Sequence, residues 1–219
     1  MRALVVGASG GIGGAIADAL AARGDTVVRL SRSGQGLDIT DPARVEAAFA
    51  ALDGSFETII IATGALGTPE KSLRALTIEA MLQQFAVNAA GPALVLRQAV
   101  RLLPRDRRSV LAALSARVGS IADNALGGWY SHRASKAALN QVLRTASIEI
   151  ARTHPLAAVV ALHPGTVDTA LSAGHARAAS ASAPVAPAVA ASRLLAVIDA
   201  LGPADSGSFL DHAGRPVPW

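Results

Sequence analysis

The chain has 219 residues, of which 51% are hydrophobic and 16% are charged, and a chain of this length can bury one sizeable core. It contains no cysteine, which excludes disulfide bonds and thiolate metal sites. No apolar run reaches the length of a membrane span, and the first residues look like a core strand rather than a signal peptide. We therefore expect a soluble cytoplasmic protein with no membrane partner and no metal.

The net charge of +4 and the sequence pI of about 10.6 would ordinarily favour a nucleic-acid partner. The basic residues are scattered, however, and only 3% of the chain is aromatic. The one tight cluster, formed by Arg105, Arg107 and Arg108, directly precedes an apolar strand and is interpreted as a solvated turn. The sequence therefore predicts no nucleic-acid partner.

Apolar β-branched runs alternate with helical stretches along the chain, which is typical of a parallel sheet covered by helices on both faces. The predicted strands are Ala3–Val6, Thr26–Leu30, Thr58–Ala62, Ser109–Leu114, Ala158–Leu162 and Ser208–Leu210. The predicted helices are Gly11–Arg23, Pro42–Ala51, Ile78–Leu103, Arg133–Arg152 and Ala188–Leu201. The connection from Ser31 to Leu37 is predicted to hold no helix, because it is short and rich in glycine. The pattern predicts one α/β domain over residues 1–219.

The first strand runs directly into a glycine-rich turn, where Gly7, Gly11 and Gly13 allow the backbone to turn tightly. A backbone without side chains can approach a pyrophosphate closely, and the N-terminus of the following helix offers free N–H groups to the anion. The turn therefore predicts a dinucleotide site.

The order Gly7-Ala8-Ser9-Gly10-Gly11-Ile12-Gly13 resembles the motif of the short-chain dehydrogenase/reductase family. Val6 departs from the threonine that usually opens that motif. The resemblance implies a single-domain Rossmann-type fold with a doubly wound parallel sheet. It also implies that Ser9, Gly10 and Ile12 join the three glycines in binding the cofactor.

The second strand ends in Ser31 and Arg32, with no acidic residue at this position. An acid there would bind a free ribose hydroxyl, whereas an arginine pairs with a 2′-phosphate. This favours NADP(H) over NAD(H), the alternative being an ordinary surface arginine. By the resemblance, Asp38 and Ile39 line the adenine pocket, while Asp41 is interpreted as a helix cap before Pro42.

Two further segments resemble cofactor-binding segments of the family. The third strand ends in Ala62, Thr63 and Gly64, where the family usually has Asn-Asn-Ala-Gly and this chain lacks both asparagines. The segment after the fifth strand resembles the family's Pro-Gly-x-x-x-Thr and implies contacts with the nicotinamide carboxamide and phosphate from Pro164, Gly165, Val167 and Thr169. His163 is expected to pack at the strand end.

Hydride transfer to a carbonyl needs a proton donor, a group that lowers the donor's pKa and a polar group that orients the substrate. In the family, an Asn, a Ser, a Tyr and a Lys perform these roles. The resemblance assigns the role of the asparagine to Asn88, in a segment that interrupts a long helix, and that of the lysine to Lys136. Lys136 is one of only two lysines in the chain, and in the family this lysine holds the nicotinamide ribose and acidifies the tyrosine.

The tyrosine and the serine depart from the pattern. His132 occupies the tyrosine position four residues before Lys136, and Tyr130 could replace it only if the preceding loop bends inward. Ser115 is the best candidate for the serine and Ser120 a weaker one, because Ala116 occupies the usual position. The stretch from 115 to 140 nevertheless resembles the small C-factor-like or sniffer-like carbonyl reductases, and the likeness covers essentially the whole chain.

Residues 170–187 are rich in Ala, Ser, Gly and Pro and lie where the family has its substrate lid. Leu171 and Arg177 are candidates for substrate contact. The helices Ile78–Leu103 and Arg133–Arg152 carry Ala and Leu on more than one face, which indicates a homodimer or homotetramer.

Two functions follow from these features. The first is an NADP(H)-dependent oxidoreductase that reduces a small carbonyl substrate or oxidises the alcohol, with Asn88 and Lys136 organising the site, Ser115 orienting the substrate and His132, or a water that it holds, relaying the proton. The second is a catalytically weak NADP-binding sensor or interaction protein, because His132 replaces the catalytic tyrosine.

Overall fold

The computed structural model describes residues 1–173 and 183–219 and contains a six-stranded parallel sheet. The strands are β1 (Arg2–Val6), β2 (Thr26–Leu30), β3 (Thr58–Ile61), β4 (Ser109–Leu114), β5 (Ala157–His163) and β6 (Phe209–Asp211), in the spatial order β2-β1-β3-β4-β5-β6. Every predicted strand is present, and its ends differ from the prediction by at most one residue. The predicted α/β class with a doubly wound parallel sheet is confirmed.

Helices cover both faces of this sheet, as the apolar strands require. They are α1 (Gly11–Ala22), α2 (Arg32–Gln35), α3 (Pro42–Ala50), α4 (Ile78–Phe85), α5 (Gly91–Ala99), α6 (Tyr130–Ile150) and α7 (Pro187–Ala200). Apolar residues of α1 and α7 form one core with one face of the sheet, and those of α3, α5 and α6 form the other. In the described parts of the chain, no helix has the length and apolar character needed to cross a membrane.

The prediction of no helix between Ser31 and Leu37 is wrong. The Ser31 hydroxyl accepts a hydrogen bond from the Gly34 N–H at 3.0 Å and caps the one-turn helix α2. Gly36 ends the helix in the left-handed conformation, with φ at 67°. A cap and a terminating glycine are sufficient for one turn even in a glycine-rich connection.

The predicted long helix Ile78–Leu103 is interrupted where Asn88 lies. The chain forms α4, then a π-helical turn from Ala86 to Ala90, then α5. Such turns are rare and occur frequently at functional sites. Asp41 caps α3, as predicted, by accepting from the N–H groups of Ala43 and Arg44.

Because of the strand order, a crevice lies at the carboxyl ends of β1 and β3. The chain leaves β1 toward β2 on one side and returns across β1 to β3 on the other. In open parallel sheets, ligands bind outside the carboxyl ends of the strands where the order reverses in this way.

Candidate active site

A cavity of about 870 Å³ opens at these strand ends, which is within the size range of small-molecule and cofactor sites. It brings together most of the predicted site residues: Ser9, Gly10, Gly11, Ile12, Ala62, Thr63, Gly64, Ser115, His132, Lys136, Pro164, Gly165, Val167 and Thr169. The remaining predicted residues, Gly7, Gly13, Ser31, Arg32, Asp38, Ile39 and Asn88, are not part of its wall. Segments from four strand ends and from α6 therefore meet in one space.

The glycines of the turn serve two different purposes. A Cβ on Gly13 would lie 2.3 Å from the Gly7 carbonyl oxygen, so this glycine allows α1 to pack against the end of β1. A Cβ on Gly11 would lie 2.8 Å from Thr169 Cγ2 at the cavity wall. The N-terminus of α1 has no side-chain cap from Gly10, so its first N–H groups are available to an anion.

Thr63 gives an independent indication of a ligand. Its hydroxyl oxygen is buried in the cavity wall and has no hydrogen-bond partner within residues 1–173 and 183–219. Buried polar groups in proteins are nearly always paired, and a bound ligand with a polar group would supply the partner. Together with the turn and the cavity size, this hydroxyl fits a bound dinucleotide.

The residues predicted for the adenosine end lie outside the cavity. Hydrogen bonds from Thr40 lower the pKa of the Asp38 carboxyl, and the positive charge of Arg32, which is exposed at the first position of α2, adds a smaller effect in the same direction. Ile39 is buried in the core beside Gly91. Arg32 and Asp38 thus share one exposed region, whereas Ile39 is mainly a packing residue.

Lys136 lies on the buried face of α6 and lines the cavity. Its side chain is 5% exposed, and Nζ donates a hydrogen bond to the Leu114 carbonyl at 2.9 Å. Burial lowers the pKa of the Lys136 ammonium to about 8. A lysine in this environment exchanges protons close to neutral pH.

His132 lies one helical turn before Lys136 on the same face of α6. Its Nδ1 is 3.2 Å from Gln84 Oε1. Burial, and then the charge of Lys136, lower the pKa of His132 to about 4. Desolvation is the larger of these two causes, and it follows from the packing around α6. The imidazole is neutral at pH 7.

Asn88 supports the site from behind the cavity wall. Its Oδ1 accepts from the Ala65 N–H at 2.8 Å, and its Nδ2 donates to the Ala65 carbonyl at 2.9 Å and to Gln84 Oε1 at 2.7 Å. The amide also contacts the Ser135 hydroxyl at 3.1 Å. Asn88 therefore joins the π-helical turn to the segment after β3 and to α6.

The serine and tyrosine candidates differ in their placement. Ser115 lines the cavity, but its hydroxyl donates to Asn140 Oδ1 at 2.6 Å, so toward the cavity it can act only as an acceptor. The Ser120 hydroxyl accepts from the Asp123 N–H and is not part of the cavity wall. Tyr130 begins α6 and does not line the cavity either.

A polar cluster at the ends of β5 and β6 was not identified from the sequence. The Asp211 carboxylate is 1% exposed and forms ion pairs with Arg215 at 2.9 Å and with Arg117 at 3.5 Å. The rings of His163 and His212 meet edge to face, and burial lowers the pKa of His163 to about 4. His163 lies at the strand end as predicted, yet it also lines the cavity.

Residues at both described ends of the segment predicted as a lid line the cavity. Thr169 to Ser172 and then Ala183 and Val185 contribute to the wall. The Asp168 N–H donates to the Val185 carbonyl at 2.9 Å, which ties the two sides together. Leu171 lines the cavity, whereas Arg177 lies outside the described residues.

A parallel sheet in this order, with a glycine-rich turn at the crevice, is the arrangement of dinucleotide-binding proteins. A family model described as short chain dehydrogenase matches residues 1–179. The chain therefore belongs to the short-chain dehydrogenase family, a family of oxidoreductases, and the resemblance inferred from the sequence is confirmed.

The relatives and solved structures agree with this assignment. The chain is 32% identical to 1-hydroxy-2-glutathionyl-2-methyl-3-butene dehydrogenase of Rhodococcus sp. (strain AD45) over 99% of this chain and 98% of that protein. It is 26% identical to a carbonyl reductase from Pseudomonas aeruginosa PAO1 in complex with NADP, with a TM-score of 0.83 and coverage of 100% and 99%. The carbonyl reductase Sniffer of D. melanogaster has the same fold, with 20% identity, a TM-score of 0.85 and coverage of 100% and 99%.

Proposed function

We propose that this protein is an NADP(H)-dependent oxidoreductase that reduces a small carbonyl compound or oxidises the corresponding alcohol. The observation that carries the proposal is the pairing of buried Lys136 with His132 on one face of α6, in the same cavity as the glycine-rich turn. Anion-binding N–H groups, a proton-exchanging lysine and a ring nitrogen therefore face one space.

The protein's own groups would then perform the binding and the proton chemistry. The first turn of α1 holds the pyrophosphate, and Thr63 and Lys136 hold the part of the cofactor that enters the cavity. When bound, the nicotinamide supplies or accepts the hydride. His132, or a water that it holds, exchanges the proton with the substrate oxygen, and Ser115 accepts a hydrogen bond from the substrate.

The proposal is tested by NADPH consumption with a panel of aldehydes, ketones and quinones, and by NADP⁺ reduction with alcohols. A direct titration of each cofactor runs in parallel. Turnover of at least one carbonyl or alcohol is expected. If the protein binds neither NADP(H) nor NAD(H), the assignment as a dinucleotide-dependent oxidoreductase is wrong.

The second candidate is a catalytically weak NADP-binding sensor or interaction protein. A specific observation favours it: His132, with its pKa lowered to about 4, is a much poorer proton donor at neutral pH than the family's tyrosine. Saturable binding of NADP(H) without turnover of any compound in the panel would support this candidate over the enzyme.

The preference for NADP(H) depends on Arg32. Its guanidinium is exposed and forms no ion pair within the described parts of the chain, so it is available to a 2′-phosphate. We expect Arg32→Ala to weaken NADP(H) binding by roughly tenfold or more, as loss of a charge-assisted contact of about 1.5–3 kcal/mol implies, and to leave NAD(H) binding nearly unchanged. Isothermal titration with both cofactors measures this.

Arg29→Ala is the matched control, because Arg29 has the same charge but is paired with Asp18 at 2.8 Å. This substitution should change the affinity for NADP(H) and the affinity for NAD(H) by no more than a small factor. If the unaltered protein binds NAD(H) as tightly as NADP(H), the role given to Arg32 is wrong.

We further propose a homodimer or homotetramer, and a substrate lid over residues 170–187. Ile78 and Leu82 on α4 are 61% and 62% exposed, and Ile148 on α6 is 52% exposed. Apolar side chains exposed on neighbouring helices are typical of an interface. The cytoplasmic location and the absence of a nucleic-acid partner stay predictions.

We expect light scattering at micromolar concentration to give the mass of an oligomer. The double substitution Ile78→Asp with Leu82→Asp should reduce it to that of a monomer, because burying two carboxylates in an apolar interface is costly. Ile121→Asp, at another highly exposed apolar position, is the control and should not change the mass. A monomeric unaltered protein would contradict the claim.

A further inference from the structure

Gln84 on α4 is a buried polar residue that the sequence did not single out and that the proposed mechanism does not use. Its side chain is 3% exposed, although its neighbour Gln83 is exposed. Gln84 Oε1 lies 2.7 Å from Asn88 Nδ2 and 3.2 Å from His132 Nδ1. The amide therefore connects the supporting asparagine to the His132 ring that lines the cavity.

The orientation of both amides is fixed by backbone groups. The Ala65 N–H can only donate and the Ala65 carbonyl can only accept, so Asn88 must place Oδ1 on the first and Nδ2 on the second, at 2.8 and 2.9 Å. Asn88 Nδ2 lies 2.7 Å from the Gln84 amide, and an NH2 group of Gln84 at that position would face another donor, so Gln84 must place its oxygen there. Gln84 consequently presents an acceptor to His132.

A neutral imidazole has one N–H and one lone pair, and the tautomer follows from the partners of its two nitrogens. The amide oxygen of Gln84 accepts but cannot donate, so the proton belongs on the nitrogen beside it. We propose that Gln84 is a positioning residue that holds the proton of His132 on Nδ1 and leaves the lone pair on Nε2, the nitrogen that meets the substrate oxygen.

This inference rests on the proposed function and indicates which direction of the reaction the site favours. With Nε2 unprotonated, His132 accepts a proton from a substrate alcohol: the O–H bond breaks and the proton forms the Nε2–H bond. A bound NADP⁺ would take the hydride from the carbinol carbon, which leaves the carbonyl product. Reduction of a carbonyl requires the imidazolium, which must return that proton to the substrate oxygen. The neutral form of the site is therefore set for alcohol oxidation.

The charges around the ring agree with a neutral imidazole. Lys136 and Arg133, on the same helix, disfavour the imidazolium, and Glu70, from the segment after β3, favours it more weakly. The neighbouring helix α4 contributes the uncharged amide of Gln84. A backbone hydrogen bond with Ala65 favours the imidazolium but does not outweigh burial and the charge of Lys136.

The tautomer can be measured directly by ¹⁵N NMR of the cofactor-free protein labelled at histidine, with His132→Gln used to assign the signals. At pH 7 we expect the Nδ1 signal of His132 in the protonated range and the Nε2 signal in the unprotonated range. A proton on Nε2, or an equal mixture of the tautomers, would overturn the proposal. Because this measurement needs no turnover, it separates failure of the inference from failure of the proposed function.

Gln84→Glu tests the positioning role, since it keeps an acceptor for both Asn88 and His132 and adds a negative charge beside Nδ1. We expect the apparent pKa of His132 in NMR and in the reductase pH profile to rise by at least one pH unit, with reductase activity at pH 7 rising about tenfold relative to alcohol oxidation. Gln83→Glu adds the same charge at the exposed neighbouring position and should change neither the apparent pKa of His132 nor the ratio of the two activities. Equal effects of the two variants, or no change with Gln84→Glu, would reject a role for Gln84.

Discussion

Replacing His132 by tyrosine should raise the reductase kcat/KM at pH 7 by about ten- to a hundredfold, since a well-placed general acid contributes roughly that much or more. A phenol is fully protonated at this pH, and Lys136 lowers its pKa toward neutrality so that it can donate. The imidazole of His132, with a pKa of about 4, is almost entirely unprotonated there. His132 lines the cavity wall, so the longer phenol can extend toward the substrate.

The pH profiles should differ in the same experiment. Reductase activity of the unaltered protein should be low at pH 7.5 and rise by about tenfold per pH unit as the pH falls toward the His132 pKa, because the imidazolium fraction rises by that factor. The tyrosine variant should be nearly flat over this range. His163→Tyr adds a phenol to the same cavity and should not reproduce the gain.

A fast unaltered protein with a flat pH profile, unchanged by His132→Tyr, would contradict this prediction. It would mean that the proton donor lies elsewhere. Tyr130, the single tyrosine of the chain, would then be the first residue to test by substitution with phenylalanine, although it does not line the cavity.

Replacing Lys136 by methionine should lower activity by about a hundredfold or more while the cofactor-free protein becomes more stable. The lysine has a pKa of about 8 in the folded protein and its ordinary value of 10.5 when unfolded. The unfolded chain thus binds more protons between pH 8 and 10.5, so stability rises with pH through that window. At pH 7 the buried charge costs about 3 kcal/mol, which methionine removes at the loss of one hydrogen bond worth about 1 kcal/mol.

Urea unfolding at pH 7 and pH 9.5, together with kcat/KM, measures both effects. The free energy of unfolding should increase at pH 7 by about 1–2 kcal/mol, and its rise above pH 8 should disappear. Lys71→Met, at the other and exposed lysine, should change neither quantity. Retained activity in Lys136→Met would remove Lys136 from the mechanism.

The sequence by itself determined the strands and the class of fold, whereas the short helix α2 and the π-helical turn at Asn88 appeared only in the structure. Alternating apolar runs and capped helical stretches are local signals, and they predicted all six strands to within one residue at each end. The glycine-rich turn and Lys136 were also predicted from the sequence, because the turn needs glycines at fixed positions and because Lys136 is one of only two lysines in a chain rich in arginine. The spacing of four residues was enough to place His132 and Lys136 on one face of α6.

Only the tertiary structure decided the pKa values and the hydrogen-bond and ion-pair partners of these groups. The low pKa of His132 comes mainly from burial, which depends on every element packed around α6. The contact between His132 and Gln84 joins residues 48 positions apart, and the pairing of Asp211 with Arg117 joins residues still further apart in the chain. No local pattern encodes such partners, because they are set by how the sheet order and the helix packing bring separate segments together.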